Sequence, residues 1–133
     1  MGFWDDADII SIYTREQAVE DGFLVDVSEL MKEAGLPIIT DLTRTVWNKI
    51  EDIPASKSWQ DVEGRCWDVV WMAQLAFRGY CRRNIDQVVE LPVYIYYKLI
   101  MHVGRCTYIT LKITLNKDHK GNDTLTISLP EED

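Results

Sequence analysis

The chain has 133 residues, 47% of them hydrophobic and 27% charged, and 22 acidic against 14 basic residues give a formal net charge of −8. This length and composition fit a single domain, residues 1–133, with one buried core, and exclude a disordered or low-complexity protein. The negative charge argues against direct binding to nucleic-acid phosphates and favours a basic partner.

Cysteine usage and the N-terminus indicate the compartment. The chain has three widely spaced cysteines, Cys66, Cys81 and Cys106. Their odd number and spacing predict free, buried thiols, and neither a disulfide framework nor a zinc site. No secretory signal is recognisable, and the longest apolar run, at 91–103, is too short to span a bilayer. We therefore expect a cytoplasmic protein with no cofactor, no metal and no membrane partner.

The first half of the chain carries signals for short helices. Thr14 and Gln17 have the spacing of a capping box, and Gly22 can end the helix that follows. Ser28 marks a second helix start, with Gly35 just beyond its end. The predicted elements are a helix at 15–21, an extended run at 23–27 and a helix at 29–34. An extended pair, Ile38-Ile39, then precedes a third helix that is capped by Thr40 or Asp41 and ends near Glu51.

The strongest periodic signal predicts a long helix at about 61–80. One apolar stripe at helical spacing contains Val62, Cys66, Val69, Val70, Ala73, Phe77 and Tyr80. A second stripe, about 100° away, contains Trp67, Trp71 and Leu75. A helix that is apolar over so much of its surface is expected to be central and covered on two sides, with Trp67, Val70 and Trp71 in the core.

After Pro92 the apolar period changes from 3.6 to 2. Apolar and polar residues alternate at 93–102, at 108–115 and at 124–129, with turn-forming residues between these segments. This pattern predicts three antiparallel strands. The expected fold class is α+β, in which N-terminal helices and a long central helix pack against a three-stranded antiparallel sheet.

Charge is distributed unevenly along the chain. Residues 1–64 hold 14 acids and 5 bases, giving −9, whereas residues 65–133 hold 8 acids and 9 bases, giving +1. A row of carboxylates resembles a phosphate backbone to the basic groove of a nucleic-acid enzyme. The predicted partner-binding residues are Glu16, Glu20, Asp21, Glu29 and Glu33.

Two other function classes stay open. The first is single-stranded nucleic-acid binding, in which bases stack on aromatic side chains of one sheet face beside basic ones. The candidate residues on the predicted strands are Tyr94, Tyr96, Tyr108, Lys98 and Lys112. Outside the periodic stripes, Trp4 and Trp59 are candidate binding aromatics.

A small enzyme of unknown reaction is the other alternative. Its candidate catalytic groups are a dyad of Cys106 and His102. Candidate carboxylate pairs are Asp21 with Asp26, or Glu29 with Glu33. Since the sequence has no HExxH, GxSxG, P-loop or GxGxxG pattern, we expect no catalysis.

Several segments carry a family resemblance that spans nearly the whole chain. They are YTREQAVEDGFLVDVS at 13–28, EAG at 33–35, TRTVW at 43–47, GRCWDVVWM at 64–72 and LPEED at 129–133. In this order they resemble a domain-of-unknown-function family of small proteins in bacteria, phages and plasmids. Residues 84–103 do not share the resemblance, and we interpret them as the partner-specific part.

The resemblance implies a mobile-genetic-element setting and no catalytic residue. Many small acidic proteins in that setting inhibit host defences. Together with the charge distribution, it predicts an anti-CRISPR-like inhibitor whose partner is a CRISPR effector or another nucleic-acid-binding defence protein. The sequence does not indicate an oligomeric state.

Overall fold

The computed structural model of the chain describes residues 13–53, 61–103 and 105–132. Its elements are α1 (Arg15–Glu20), β1 (Leu24–Asp26), α2 (Ser28–Glu33), β2 (Ile39–Thr43), α3 (Arg44–Glu51), α4 (Val62–Arg83), β3 (Val93–Val103), β4 (Arg105–Lys117) and β5 (Asp123–Ser128). The predicted α+β class and the long helix α4 are confirmed. Among these described elements, no helix is long and apolar enough to cross a membrane.

The strands form one five-stranded mixed sheet in the order β1-β2-β5-β4-β3. The antiparallel pairing of β3 with β4 and of β4 with β5 agrees with the predicted meander. Two further strands extend the sheet, because β2 pairs in parallel with β5 and in antiparallel with β1. The prediction of a three-stranded antiparallel sheet is therefore wrong.

Strand β2 extends further than the predicted extended pair Ile38-Ile39, a difference that arises because its polar residues resemble a helix cap. Thr40 and Asp41 are both buried within the strand, and the N-cap of α3 is Thr43, whose Oγ1 accepts a hydrogen bond from the Val46 amide at 3.4 Å. Buried polar groups require hydrogen-bond partners. The backbone amide of Thr40 donates to Ser28 Oγ at 3.0 Å, a contact that no local sequence pattern indicates.

The core lies between the inner face of the sheet and α4. One row of apolar residues crosses all five strands in register: Val25, Leu42, Ile127, Ile113 and Ile95. The first of these is half-buried and the other four are buried in the same cluster as the inward residues of α4 and Met31 of α2. This face is apolar along its whole width, so α4 and α2 both pack on it.

The outer face of the sheet is covered only in part. Helix α1 packs over the β1–β2 side, where Arg15 contacts Asp41. In the middle, the C-terminal segment after β5 reaches Lys112, whose ammonium group donates to the carbonyl oxygens of Pro130 and Glu132. The β3–β4 side carries exposed tyrosines and is open.

Helix α4 is central, but it buries only one of its two predicted apolar stripes. Val70 is fully buried, whereas Trp67 is half-buried and Trp71 is 41% exposed. The expectation that Trp71 lies in the core is wrong, because α2 and α3 pack beside α4 without covering this stripe. Cys81 is also exposed, so the prediction of buried thiols holds for Cys66 and fails for Cys81.

Candidate binding surfaces

A capping box positions α1, as the sequence predicts. The Gln17 amide donates to Thr14 Oγ1 at 3.2 Å, and the Thr14 amide donates to Gln17 Oε1 at 2.9 Å. The first helical residue, Arg15, then points at the sheet. Its guanidinium donates to both carboxylate oxygens of Asp41 at 2.7 Å and lies 3.1 Å from Asp26 Oδ2.

Electrostatics explain why this cluster holds α1 in place. Burial raises the pKa of Asp41 although the two hydrogen bonds from Arg15 act in the opposite direction. Burial acts in the same direction on Asp26, but hydrogen bonds from Ser28 and the Arg15 charge outweigh it and hold the pKa of Asp26 below its ordinary value. Arg15 is thus the cation that makes a buried Asp41 tolerable.

The five predicted partner-binding carboxylates are all exposed, and they lie on two helices. Helix α1 packs on the outer face of the sheet, since Asp41 points away from the core residue Leu42 beside it. Helix α2 packs on the inner face through Met31. Glu16, Glu20 and Asp21 therefore lie on one side of the sheet, and Glu29 and Glu33 lie on the other, with the edge strand β1 between the two groups.

Both arginines of residues 1–64 donate hydrogen bonds to oxygen atoms of the protein. Arg15 binds Asp41, and the exposed Arg44 donates through Nε to the Gly22 carbonyl at 2.8 Å. Arg65, just beyond this half, is buried and donates to the Asp52 carbonyl at 3.0 Å. Among the carboxylates, Asp21 accepts a hydrogen bond from the Tyr13 hydroxyl at 2.5 Å, which raises the pKa of that tyrosine to about 12. The exposed positive charge near these acids comes from Lys32, Arg44 and Lys49, and from Lys120 beside Glu16.

A cavity of about 230 Å³ lies between α1 and the loop that joins β4 to β5. Glu16 of α1 lies beside this loop: its carboxylate oxygens are 3.9 Å from His119 Nδ1 and 3.9 Å from Lys120 Nζ. The loop is held by Asp118, which accepts from the backbone amides of Lys120 and Asn122. The residues that line the cavity are Tyr13, Thr14, Arg15, Leu24, Asp41, Lys117, Asp118, His119, Thr124 and Thr126.

The buried carboxylate of the cavity, Asp41, is bound to Arg15. Among the described residues, no hydroxyl group that lines the cavity is hydrogen-bonded to His119. Within residues 13–53, 61–103 and 105–132, no group of three or more His, Cys, Asp or Glu side chains is placed to hold a metal ion. We therefore interpret the Arg15–Asp41 cluster as structural.

Strand pairing brings the predicted nucleic-acid-binding residues onto one face. In register, Tyr96 lies opposite Lys112, Lys98 opposite Thr110, and Tyr108 opposite Ile100. The tyrosines are exposed, Tyr108 by as much as 72%, and Lys98 is exposed as well. Lys112 is only 6% exposed, because the C-terminal carbonyls hold its ammonium group, and Tyr94 lies under that group at 5.3 Å. The aromatic part of this surface is thus available, and one of its two lysines is not.

Most of the remaining candidate residues from the sequence analysis are not described by the structure. Trp4, Trp59 and the side chains of His102 and Cys106 lie outside the part of the chain that the structure describes. Asp26, a candidate for a carboxylate pair, is instead a partner of Arg15.

Sequence reasoning missed the pairing of Arg15 with Asp41 and the exposed stripe on α4. The signal for the pairing was an acid within the strand-like run ITDLT at 39–43, which requires a cation if the run is buried.

No protein-family model, no curated protein and no solved structure matches this chain.

Proposed function

We propose that the protein is a non-catalytic inhibitor whose acidic helical half occupies the basic nucleic-acid groove of a host defence protein, as an anti-CRISPR protein does. The observation that carries the proposal is the arrangement of charge in that half. Its arginines are bound to carboxylate or carbonyl oxygens of the chain, as Arg15 and Arg44 illustrate, while the carboxylates of α1 and α2 face solvent. On these two helices and the α1 cap, five exposed carboxylates stand against one exposed lysine, Lys32, so the surface offers a net negative charge to a basic partner.

The shape around strand β1 supports the same proposal. Among the described strands, β1 pairs with β2 alone and is one edge of the sheet. Helix α1 immediately precedes it on the outer face, and α2 immediately follows it on the inner face. The edge therefore carries two groups of carboxylates, Glu16 and Glu20 on one side and Glu29 and Glu33 on the other. Nucleic-acid duplex also presents negative charge on two strands, and a basic channel built for it is able to accept such a ridge.

A competition assay tests this function. Each of a panel of CRISPR effectors and other basic defence nucleoproteins is bound to labelled nucleic acid, the purified protein is titrated in, and the bound fraction is read by gel shift. The proposal predicts release of the nucleic acid from at least one effector, with a competition that weakens steeply as salt rises, because charge steers the association. Failure to displace nucleic acid from any member, or displacement indifferent to salt, would contradict it.

A second candidate function is favoured by the open β3–β4 face. Tyr94, Tyr96 and Tyr108 are exposed there beside Lys98. The bases of single-stranded nucleic acids commonly stack on exposed aromatic rings of this kind. If single strands bind on this face, Tyr96→Ala should weaken oligonucleotide affinity by roughly 1–3 kcal/mol. Tyr96→Phe keeps the ring and is the matched control. A direct gel shift of single-stranded DNA or RNA by the protein alone, lost in the alanine variant and kept in the phenylalanine variant, would favour this function over the inhibitor.

A further inference from the structure

An apolar stripe on α4 begins at Trp67, which is half-buried and packs against the core, and continues into solvent through Trp71 and Leu75. It consists of Trp67, Trp71 and Leu75, each one helical turn after the last, and is called the α4 stripe below. The two indole rings are stacked, with centroids 5.7 Å apart and an interplanar angle of 22°. Trp71 is 41% and Leu75 43% exposed. Keeping so much apolar surface in water is unfavourable, so the stripe is expected to have an occupant.

The charges beside the stripe have opposite signs at its two ends. Asp68 lies next to the stripe towards the N-terminus of α4, and Arg82 lies towards its C-terminus. Both side chains are exposed, and within the described residues neither makes a hydrogen bond or an ion pair. Partial burial nevertheless raises the pKa of Asp68. The stripe is thus bordered by one unpaired anion and one unpaired cation.

The spacing of these two charges is symmetrical about the stripe. Asp68 and Arg82 are fourteen residues apart, about 21 Å along the helix, and Leu75 is midway between them. Fourteen residues are within about 40° of four full turns, so both charges lie on nearly the same side as Leu75. An antiparallel copy of α4 that crosses at Leu75 brings each Asp68 beside the Arg82 of the other copy.

We propose that the occupant is a second copy of this chain, and that the protein forms a twofold-symmetric dimer through antiparallel packing of two α4 stripes. Such an interface is self-complementary, as a twofold dimer requires. Ridges of residues spaced four apart interdigitate when two helices cross at about −50°. In this register Trp71 of each chain faces Gly79 of the other, where its indole ring meets the guanidinium of Arg83.

Two further features fit a copy of the chain better than a basic partner. Helix α4 has two acids and four arginines, so it is locally positive although the chain carries −8. Pairing through α4 therefore does not bring the acidic surfaces of the two chains together. In addition, the guanidinium of Arg83 lies over Gly79, where an added Cβ would be 3.2 Å from its Nη1. A tryptophan packed at that position receives a cation against its ring.

Sedimentation velocity on the full chain tests the dimer. The wild-type protein should sediment with twice the mass of the 15.5 kDa chain at micromolar to tens-of-micromolar concentration. Trp71→Gln should raise the dimer dissociation constant by at least roughly tenfold, because buried tryptophans dominate interfaces. Ile100→Gln, which removes an exposed apolar residue of the sheet face, is the matched control and should leave it unchanged.

Charge reversal tests the antiparallel register. Asp68→Arg and Arg82→Glu should each weaken the homodimer by roughly tenfold, since every twofold interface then contains two repulsive pairs. An equimolar mixture of the two variants should form a heterodimer of wild-type strength, because both pairs are then attractive. Glu20→Arg on α1 is the control for a general charge effect.

Three results would overturn the proposal. They are a wild-type chain that stays monomeric at hundreds of micromolar, a dimer that survives Trp71→Gln, and a mixture of the two reversal variants that fails to restore the dimer. A dimer insensitive to the α4 variants would use another surface, such as the free edge of β3. None of these results bears on whether the acidic ridge competes with nucleic acid, so this inference and the proposed function stand or fall separately.

Discussion

Replacing Arg15 with alanine should destabilise the fold far more than an ordinary surface substitution. The guanidinium is the cation that faces Asp41, whose side chain is only 2% exposed, and it binds both carboxylate oxygens at 2.7 Å. Without it, the carboxylate stays buried and uncompensated, and removing one partner of such a pair costs about 3–5 kcal/mol. Urea unfolding followed by tryptophan fluorescence at about pH 7 measures this loss.

The size of the effect depends on the charge of Asp41, which a second variant tests. Asp41→Asn keeps the shape of the side chain and removes the charge. In the Arg15→Ala background it should recover a large part of the lost stability, because a neutral amide is less costly to bury than a carboxylate. A double-mutant cycle over the two positions gives the coupling between them.

The pH dependence gives an independent check on the same reasoning. Burial raises the pKa of Asp41 in the folded protein, so the folded state binds its proton more readily than the unfolded state does. Protonation of Asp41 therefore favours folding as pH falls through the folded pKa, and this gain is complete below the unfolded pKa of about 3.9. Removing Arg15 takes away the hydrogen bonds and the charge that lower the pKa of Asp41, so its folded pKa rises further. The penalty of Arg15→Ala should therefore shrink as pH falls from about 7 towards the unfolded pKa of about 3.9. A penalty below about 1 kcal/mol, or one independent of pH, would refute the account of this cluster.

Three further predictions concern packing, capping and thiol reactivity. At a concentration at which the chain is monomeric, Trp71→Ala should cost less than Met31→Ala, because Trp71 is 41% exposed and Met31 is fully buried. Met31→Ala should cost about 2–5 kcal/mol in the same urea assay. Equal costs would contradict the placement of the two side chains. Thr14→Ala should cost about 0.5–2 kcal/mol through loss of the α1 cap, and no change in the unfolding midpoint would show that the cap is dispensable. Burial raises the pKa of the Cys66 thiol to about 11, so in a Cys106→Ser background the exposed Cys81 should react with a thiol reagent much faster than Cys66. In that background the fast phase should vanish on adding Cys81→Ser and persist on adding Cys66→Ser.

Local patterns predicted the elements whose stability is local. The capping box at Thr14 and the long apolar stripe of α4 depend on residues three or four apart, and both are present. The alternation after Pro92 likewise predicted β3, β4 and β5. These features follow from backbone geometry that short sequence windows contain.

The missed features depend on contacts between distant residues. Asp41 is tolerated inside β2 because Arg15, twenty-six positions earlier, neutralises it, and a window around Asp41 reads as a helix start. In the same way, the spacing of Trp71 is compatible with a buried stripe, and only the positions of α2 and α3 decide that it faces solvent. Lys112 resembled an exposed base of the sheet until the C-terminal carbonyls were seen to hold it.

The central claim is that the carboxylates around the β1 edge carry the inhibition. Two quadruple reversals separate this claim from an effect of net charge, because each moves the formal charge from −8 to zero. The test variant is Glu16→Lys, Glu20→Lys, Glu29→Lys and Glu33→Lys. The control variant reverses exposed acids elsewhere, by Glu51→Lys, Glu63→Lys, Asp86→Lys and Glu90→Lys.

Both variants are measured in the competition assay against the effector that the wild-type protein displaces from nucleic acid, after urea unfolding has shown that each is folded. The account predicts that the edge reversal abolishes competition and that the control retains most of it. Equal competition by the two variants, whether both active or both inactive, would contradict the claim that the β1 edge is the inhibitory surface.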